Sequence, residues 1–405
     1  MNTLEEALND LKQGRFIILV DDEKRENEGD LVISAEKITP DAINFMTKMG
    51  RGLICMPLAP SEADRLQLPL MVTSNENQSK YNTPFTVSIG AATGVTTGIS
   101  AHDRARTVQV AADPCSTPND IVTPGHIFPL RAHPTGVLGR AGHTEGSVDL
   151  MKLAGLQPAA VLCEILKEDG TLARLPDLKK IAEQHQIKII AIDDLIAYRM
   201  RHERLVRETA TARLPVKTYG NFTLKIFETT FDDQHVVVLH SAGKKSGASK
   251  KNEPTLVRIH SECLTGDIFG SARCDCGWQL DTSLARISAE GGVLLYLRQE
   301  GRGIGIINKI KAYQLQDERG LDTVEANHEL GFEADRRDYG IAGQILRYLG
   351  INQIRLLTNN PTKIAAMQKY GMESVIREAI QMPPTTENQN YLSVKRDKMG
   401  HLLWE

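Results

Sequence analysis

Aromatic residues make up only 5% of the 405-residue chain, two of them tryptophan, so base-stacking platforms for nucleic acid are scarce. An excess of one charge is also missing: 48 Lys and Arg against 51 Asp and Glu leave a net charge of −3, which is no electrostatic footprint for a polyanion. Long apolar runs are absent. The longest, RFIILV and GGVLLYL, have the length of buried strands and fall far short of the roughly twenty residues that span a bilayer. The start, MNTLEEALNDLKQG, is acidic and helical where a secretory leader is basic and then apolar. These absences predict a cytoplasmic protein without disulfides, whose partners are small molecules rather than nucleic acid or membrane.

With 41% apolar and 24% charged residues, the composition is that of a globular protein, and the length suits two or three compact units. Helical and strand signals alternate throughout, which predicts an α/β (α+β type) architecture of two unrelated mixed α/β domains in tandem, residues 1–203 and 204–405. In the first, a helix ends at Gly14, Phe16 to Val20 is a strand, and Thr39-Pro40 opens a helix closed by Gly50. GLICMP, PFTVSI and HIFPL follow as strands, with Ser100 and Asp103 opening a helix as a capping box. A helix from Thr144 to Leu153 stopped by Gly155, the strands AAVLCEIL and KIIAI, and a helix from Asp193 to about Arg207 complete it. RETATARLPVKTYG reads as a polar boundary where periodicity lapses. After it come a hairpin, NFTLKIFETTFDDQHVVVLH, turning near Asp232-Asp233, and a solvated basic loop, GKKSGASKKNEP. Strands TLVRIH, VLLYL and QIRLL then alternate with helices starting near Trp278, Ile306, Arg336 and Pro361. No internal repeat is found, so the halves are expected to be different machines.

Directly after the first strand, DDEKRENEGDL at 21–31 places six carboxylates and two cations within ten positions. Like charges this close raise one another's pKa, which points to a cation, a phosphate ester or proton chemistry rather than a solvated turn; the calcium-loop spacing is not met. GRAGHTEGSVDL at 139–150 puts His143 and Thr144 at a helix start, where free amides suit a phosphate. RENEGDL, GLICMP, TTGISAHDR, TPGHIFPL, RAGHT and VLCEIL, in that order, resemble 3,4-dihydroxy-2-butanone 4-phosphate synthase over roughly residues 1–200. The resemblance implies conversion of ribulose 5-phosphate to a four-carbon ketone phosphate and formate, with Glu26 and His143 holding magnesium or manganese. It further implies that Arg25, Glu26, Asp30, Arg140, Ala141, Gly142, His143, Thr144 and Glu164 bind substrate, and that His126 and Glu164 are catalytic. Cys55 and Thr97 sit in matching motifs, and Gly90 stands where relatives often carry an acid.

In the second half, RIHSECLTGDIFGSARCDCGWQL brings Cys263, Cys274 and Cys276 together. Three thiolates suit zinc, and no further cysteine follows, so a site with an open position is favoured over a closed structural one; His260 is the nearby candidate to close it. EGRGIG at 300–305 lacks the third glycine of a dinucleotide fingerprint. With RCDCG, LDTVEAN, ADRRDYGIAGQIL and LLTNNPTK, the cysteine block resembles GTP cyclohydrolase II over roughly residues 207–405. That implies zinc on the three cysteines and GTP, carried with magnesium, on Arg258, Ile259, His260, Ser261, Glu262, Gln279, Glu300, Gly301, Arg302, Thr323, Thr358 and Lys363. Asp335 is implied as proton acceptor. Arg337 matches a position assigned attack on the α-phosphate, but a guanidinium stays protonated, and stabilisation of the departing pyrophosphate is the role expected here.

Taken together, the motifs predict a fused enzyme supplying both precursors of the riboflavin pathway, with a homodimer implied by the synthase resemblance. The alternatives are a chain in which only the GTP cyclohydrolase half works and the first half is a scaffold, or a zinc-containing GTP-binding regulator.

Overall fold

The computed structural model describes residues 1–73, 75–231, 235–241, 253–335 and 337–403. It divides into two compact units, Met1–Arg199 and Met200–Glu405. The expected turn at Asp232-Asp233, residues 243–252 of the basic loop, and the helix start at Arg336 lie outside the described residues.

The first unit is built on a mixed sheet of β1 (Ile17–Val20), β2 (Gly29–Ser34), β3 (Cys55–Leu58), β4 (Ile89–Ala91), β5 (Ile121–Arg131), β6 (Ala160–Glu164) and β7 (Lys188–Ala191), in the order β4-β5-β3-β6-β2-β1-β7. Successive strand side chains face opposite ways, so β1 sends Ile18 and Val20 into one apolar cluster and Ile17 and Leu19 into the other. That two-sided burial explains why its sequence is an unbroken apolar run rather than an alternating one. Helices Pro40–Phe45, Ala101–Ala112 and Leu175–His185 pack on one face; Leu4–Lys12, His143–Ala154 and Ile192–His202 pack on the other. Gly155, at φ +70, ends helix 143–154 in the left-handed conformation expected of it.

Two local expectations are corrected. Ser100 Oγ does accept from the Asp103 N–H at 3.1 Å, but the Asp103 carboxylate does not return the bond of a capping box; it accepts from Thr96 N–H and Oγ1 and from Gly98 N–H instead. PFTVSI is not one strand: Phe85 and Thr86 make only isolated bridges, and β4 begins at Ile89.

The second unit carries β8 (Val206–Val216), β9 (Gly220–Thr229), β10 (His235–Ser241), β11 (Thr255–Ser261), β12 (Gly292–Leu297), β13 (Gln353–Leu357) and β14 (Ser374–Glu378), ordered β14-β13-β11-β12-β10-β9-β8. The last helix of the first half ends at His202, not near Arg207, and the stretch read as a polar boundary is β8, paired with β9 along its length. As an edge strand largely exposed on both faces, β8 has no alternation to betray it, and an edge tolerates Pro215. Strands β14, β13, β11 and β12 are parallel to their neighbours in that series, while β12, β10, β9 and β8 run antiparallel. Among the described residues, no helix is long and apolar enough to cross a membrane.

Candidate active sites

In the first unit the strand directions collect the predicted residues at one end of the sheet. Asp21 follows the end of β1, Asp30 opens β2 and faces Glu164 at the end of β6, and β5 pairs with β3 so that His126 lies two residues before Phe128, the partner of Cys55. Helix 143–154 brings its first residue to the same place: His143 Nδ1 is 3.5 Å from Glu26 Oε2. Asp21, which the motif reading did not single out, organises the acidic loop. Its carboxylate accepts from Arg25 Nη1 at 3.0 Å and from the Glu26 and Glu28 N–H groups at 2.9 Å each. Arg25 also pairs with Glu26 at 2.8 Å.

Ligand atoms of Asp21, Glu26 and His143 lie within 4.8 Å of one another. Asp21 holds three donors from its own loop, while Glu26 shares its carboxylate between Arg25 and His143. The donor set fits a hard divalent ion, with one carboxylate and one imidazole leaving room for ligand oxygens. Two buried polar atoms, His143 Nε2 and Asp30 Oδ1, have no hydrogen-bond partner. Burial pushes the Asp30 carboxyl up to about 8. Burial alone would lower the His143 imidazole, but the charge of Asp30 and the hydrogen bond with Glu26 lift it to about 9. Uncompensated buried groups of this kind mark sites that a ligand completes.

Arg140 donates to Glu145 Oε2 at 2.6 Å and to the Tyr81 carbonyl. The Tyr81 hydroxyl donates to the Arg25 carbonyl, and the Arg25 guanidinium lies 4.9 Å from the centre of its ring. Tyr81 thus ties the two arginine-bearing loops together, and its position in a polar loop gave no sequence signal. Thr144 is buried behind the exposed Ala141 and the helix N-cap Gly142. Glu164 Oε2 accepts from the Leu53 N–H at 2.8 Å. His126 is exposed and makes no hydrogen bond among the described residues; its ring abuts Gly98, where a methyl would come within 2.6 Å of Nδ1. Cys55 is buried, and burial pushes its thiol up. A methyl on Gly90 would meet only ordinary contacts, the nearest at 3.4 Å, so neither backbone nor space demands glycine there.

In the second unit a cavity open to solvent lies beyond the carboxyl ends of β11, β12 and β13, where open α/β sheets bind ligands. It is lined by the predicted Arg258, His260, Ser261, Glu262, Gln279, Glu300, Gly301, Arg302, Thr323, Thr358 and Lys363, and by Arg337. Ile259 is the exception: alternation along β11 turns its side chain into the core, and its carbonyl accepts from Lys363 Nζ at 2.8 Å. The glycines of EGRGIG serve a tight turn, with Gly301, Arg302, Gly303 and Gly305 all at positive φ. Holding Arg302 at φ +61 costs on the order of 1 kcal/mol and aims it into the cavity, where its Nη2 has no partner.

Sγ atoms of Cys263, Cys274 and Cys276 cluster at the cavity floor. Cys263 and Cys274 are 3.8 Å apart, and a tetrahedral ion with Zn–S bonds of about 2.3 Å spaces its sulfurs by about 3.8 Å. The thiols therefore fit zinc. Gly266 permits the approach, since a methyl there would lie 2.8 Å from Cys274 Sγ. Lys309 Nζ, which carried no sequence signal, donates to Cys263 Sγ at 3.1 Å and to Glu300 Oε1 at 2.9 Å. Hydrogen bonds from Cys274 and Cys276, reinforced by Lys309, hold the Cys263 thiol low.

His260 does not close this site. Its Nε2 is 3.1 Å from both Asp267 oxygens, its ring stacks on Tyr296, and burial lowers its pKa. Cations dominate the rest of the wall, and burial beside Arg258 and Arg337 pushes Lys363 well down. Asp335 lies behind the wall and grips Arg337 through Nε at 2.8 Å and through a second nitrogen. Burial opposes both charges, yet the pair keeps Asp335 below the usual carboxylate range, and Tyr339 and Asp335 keep Arg337 above its ordinary value.

Residues 5–198 match the family model of 3,4-dihydroxy-2-butanone 4-phosphate synthase, and residues 207–379 match that of GTP cyclohydrolase II. The chain is 54% identical over 406 aligned residues to riboflavin biosynthesis protein RibBA of Aquifex aeolicus, covering 99% of this chain and 98% of that one. It is 55% identical to the protein of the same name from Bacillus mycoides, with the same coverage. Among solved structures it resembles RibBX, a two-domain 3,4-dihydroxy-2-butanone 4-phosphate synthase from A. baumannii, with TM-score 0.71 and 36% identity, over 94% of this chain and 100% of that one.

Proposed function

The chain belongs to the RibBA family of riboflavin biosynthesis proteins, a 3,4-dihydroxy-2-butanone 4-phosphate synthase joined to a GTP cyclohydrolase II, and from that premise we propose how its residues divide the two reactions. Residues 1–203 convert ribulose 5-phosphate to 3,4-dihydroxy-2-butanone 4-phosphate and formate. Residues 204–405 hydrolyse GTP to 2,5-diamino-6-ribosylamino-pyrimidinone 5'-phosphate, formate and pyrophosphate.

In the first half Glu26 and His143 hold magnesium or manganese, which polarises the sugar's carbonyl and hydroxyls when bound. Arg25, Arg140 and the amides of the Gly142–Thr144 helix start receive the phosphate. Asp30, whose carboxyl burial pushes up, and Glu164, fixed by the Leu53 amide, move protons on the sugar carbons; His126 serves from β5.

For the second half, the observation that carries the reading is the three-thiol cluster beneath a cation-lined cavity. Zinc on Cys263, Cys274 and Cys276 supplies an activated water when bound. Arg302 and Arg337 neutralise the triphosphate, which enters with magnesium and favours the charged form of the neighbouring Lys363, and Gln279, Glu300 and Thr323 orient the nucleotide. Asp335, which grips Arg337 from behind the wall, is the proton acceptor. The A. baumannii protein is named for the synthase alone, so the second activity rests on the GTP cyclohydrolase II family match together with this chain's own cysteines and cations.

Formate release from the zinc-loaded protein, given magnesium and either ribulose 5-phosphate or GTP alone, tests both halves. Formate from both is expected. Formate from GTP alone would make the first half a scaffold, whereas GTP binding without formate would make the second a regulator. Sedimentation of the same protein checks the proposed homodimer.

A further inference from the structure

The GTP cyclohydrolase II family match ends at residue 379, yet Tyr391, Lys395, Met399 and His401 line the same cavity. They belong to helix Gln389–Asp397 and the turn after it. We propose that this C-terminal segment is a working wall of the nucleotide site and that Lys395 is its positioning residue; the proposal rests on the GTP reading above and deepens it.

A chain of buried contacts leads from Lys395 to the groups that face the nucleotide. Lys395 Nζ donates to Asp275 Oδ1 at 2.6 Å, and Asp275 sits between Cys274 and Cys276. The other Asp275 oxygen accepts from Gln279 Nε2 at 2.6 Å, and Gln279 Oε1 accepts from Arg258 Nη2 at 2.5 Å. An amide so held has one orientation: its oxygen is committed to Arg258 and one N–H to Asp275, leaving a single N–H to face the cavity. Without the ammonium, Asp275 is an unpaired buried charge beside that amide, a state that proteins relieve by rearranging the side chains around it.

The same segment touches the cation ring from the other side. The Tyr391 ring lies 4.5 Å from Lys395 Nζ and 5.8 Å from the Arg302 guanidinium, a favourable arrangement for both cations. Two anchors fix the segment in place. Lys398 pairs with Asp322 and, at 2.8 Å, with Glu325, on the capping turn that starts helix Thr323–Glu329. The Leu402 N–H donates to the Asn359 carbonyl at 2.8 Å, beyond the end of β13. The wall is thus attached both to the element carrying Thr323 and to the turn carrying Thr358.

Full-length Lys395→Met, Lys395→Arg and Tyr391→Leu proteins test the proposal through GTP kcat and KM, read by formate release, alongside zinc content. Lys395→Met is expected to raise the GTP KM at least tenfold, with kcat within about threefold and one zinc per chain retained. Lys395→Arg is expected to restore KM to within about threefold of the parent, and Tyr391→Leu to raise KM several-fold without zinc loss. An unchanged KM in both Lys395→Met and Tyr391→Leu would overturn the proposal. So would joint loss of zinc and turnover in Lys395→Met with Tyr391→Leu at parental KM, because Lys395 would then only hold up the cysteine turn. Failure of the underlying reading looks different: the parent protein itself would release no formate from GTP.

Discussion

Arg337 Nε stands 2.8 Å from Asp335 Oδ1 while a second guanidinium nitrogen grips the other oxygen, so the arginine enters the cavity of the second unit already charged and already aimed. Such a bidentate pair adds geometric specificity to charge, and the shifts of both partners favour their ionised forms. A group in that state stabilises a departing pyrophosphate by its field and is poorly suited to act as a nucleophile. Arg337→Lys is therefore expected to keep at least a tenth of GTP turnover, whereas Arg337→Met falls by a factor on the order of 10²–10³. Loss of pyrophosphate release from Arg337→Lys as complete as from Arg337→Met would restore the nucleophile.

Glu164 depends on a glycine three strands' worth of chain away. Its Oε2 accepts from the Leu53 N–H, and a methyl on Gly52 would come within 2.5 Å of that same oxygen and 2.7 Å of the Glu164 carbonyl. Neither contact is one a real Cβ atom tolerates, so the turn at Gly52 and the Glu164 carboxylate it holds must both shift. Gly52→Ala is expected to cut ribulose 5-phosphate turnover at least tenfold while GTP turnover of the same preparation stays at the parental level. Parental activity on both substrates would show that the Glu164 carboxylate need not stand where Leu53 holds it.

The turn carrying Thr97 and Gly98 is held by Asp103, whose carboxyl is pulled down to about 2 by the Thr96 hydroxyl first and then by the Thr96 and Gly98 amides. An unfolded aspartate titrates at about 3.9, so the folded value is the lower one. The stabilisation is full above about pH 4 and is lost as the pH falls towards 2. The difference in melting temperature between the parent and Asp103→Ala should then be constant from neutrality down to about pH 4 and shrink below it. A difference that persists undiminished at pH 2 would mean the residue acts through packing rather than through its charge.

How much of this was legible in the sequence follows from where each signal resides. The buried two-sided β1 declares itself as IILV, and the acidic loop, His143 and the three cysteines lie in compact motifs. β8 was invisible because an edge strand exposed on both faces has no hydrophobic period. The core-facing side chain of Ile259 was not legible because a motif read as a block ignores the alternation that turns Arg258 and His260 to the cavity and Ile259 to the core. His260 looked like a fourth zinc ligand until folding supplied Asp267 and Tyr296 as its neighbours. Asp21 was masked by five other carboxylates in its own run. Lys309, Tyr391 and Lys395 reach their partners across 46, 89 and 120 positions, and a single sequence carries no trace of such pairings.

Each half has its own sheet, its own apolar clusters and its own set of ligating side chains, so damage to one site should leave the other chemistry running. Cys274→Ser removes one thiolate of three. Zinc content should fall and GTP turnover should vanish, because two sulfurs and a hydroxyl are a poorer set for this ion. Ribulose 5-phosphate turnover should remain within about twofold of the parent. Glu26→Ala should do the reverse: it removes the carboxylate that faces His143 at 3.5 Å, abolishing formate from ribulose 5-phosphate at any magnesium or manganese concentration while zinc and GTP turnover persist. Loss of both activities from either variant alone would show that the two sites depend on each other.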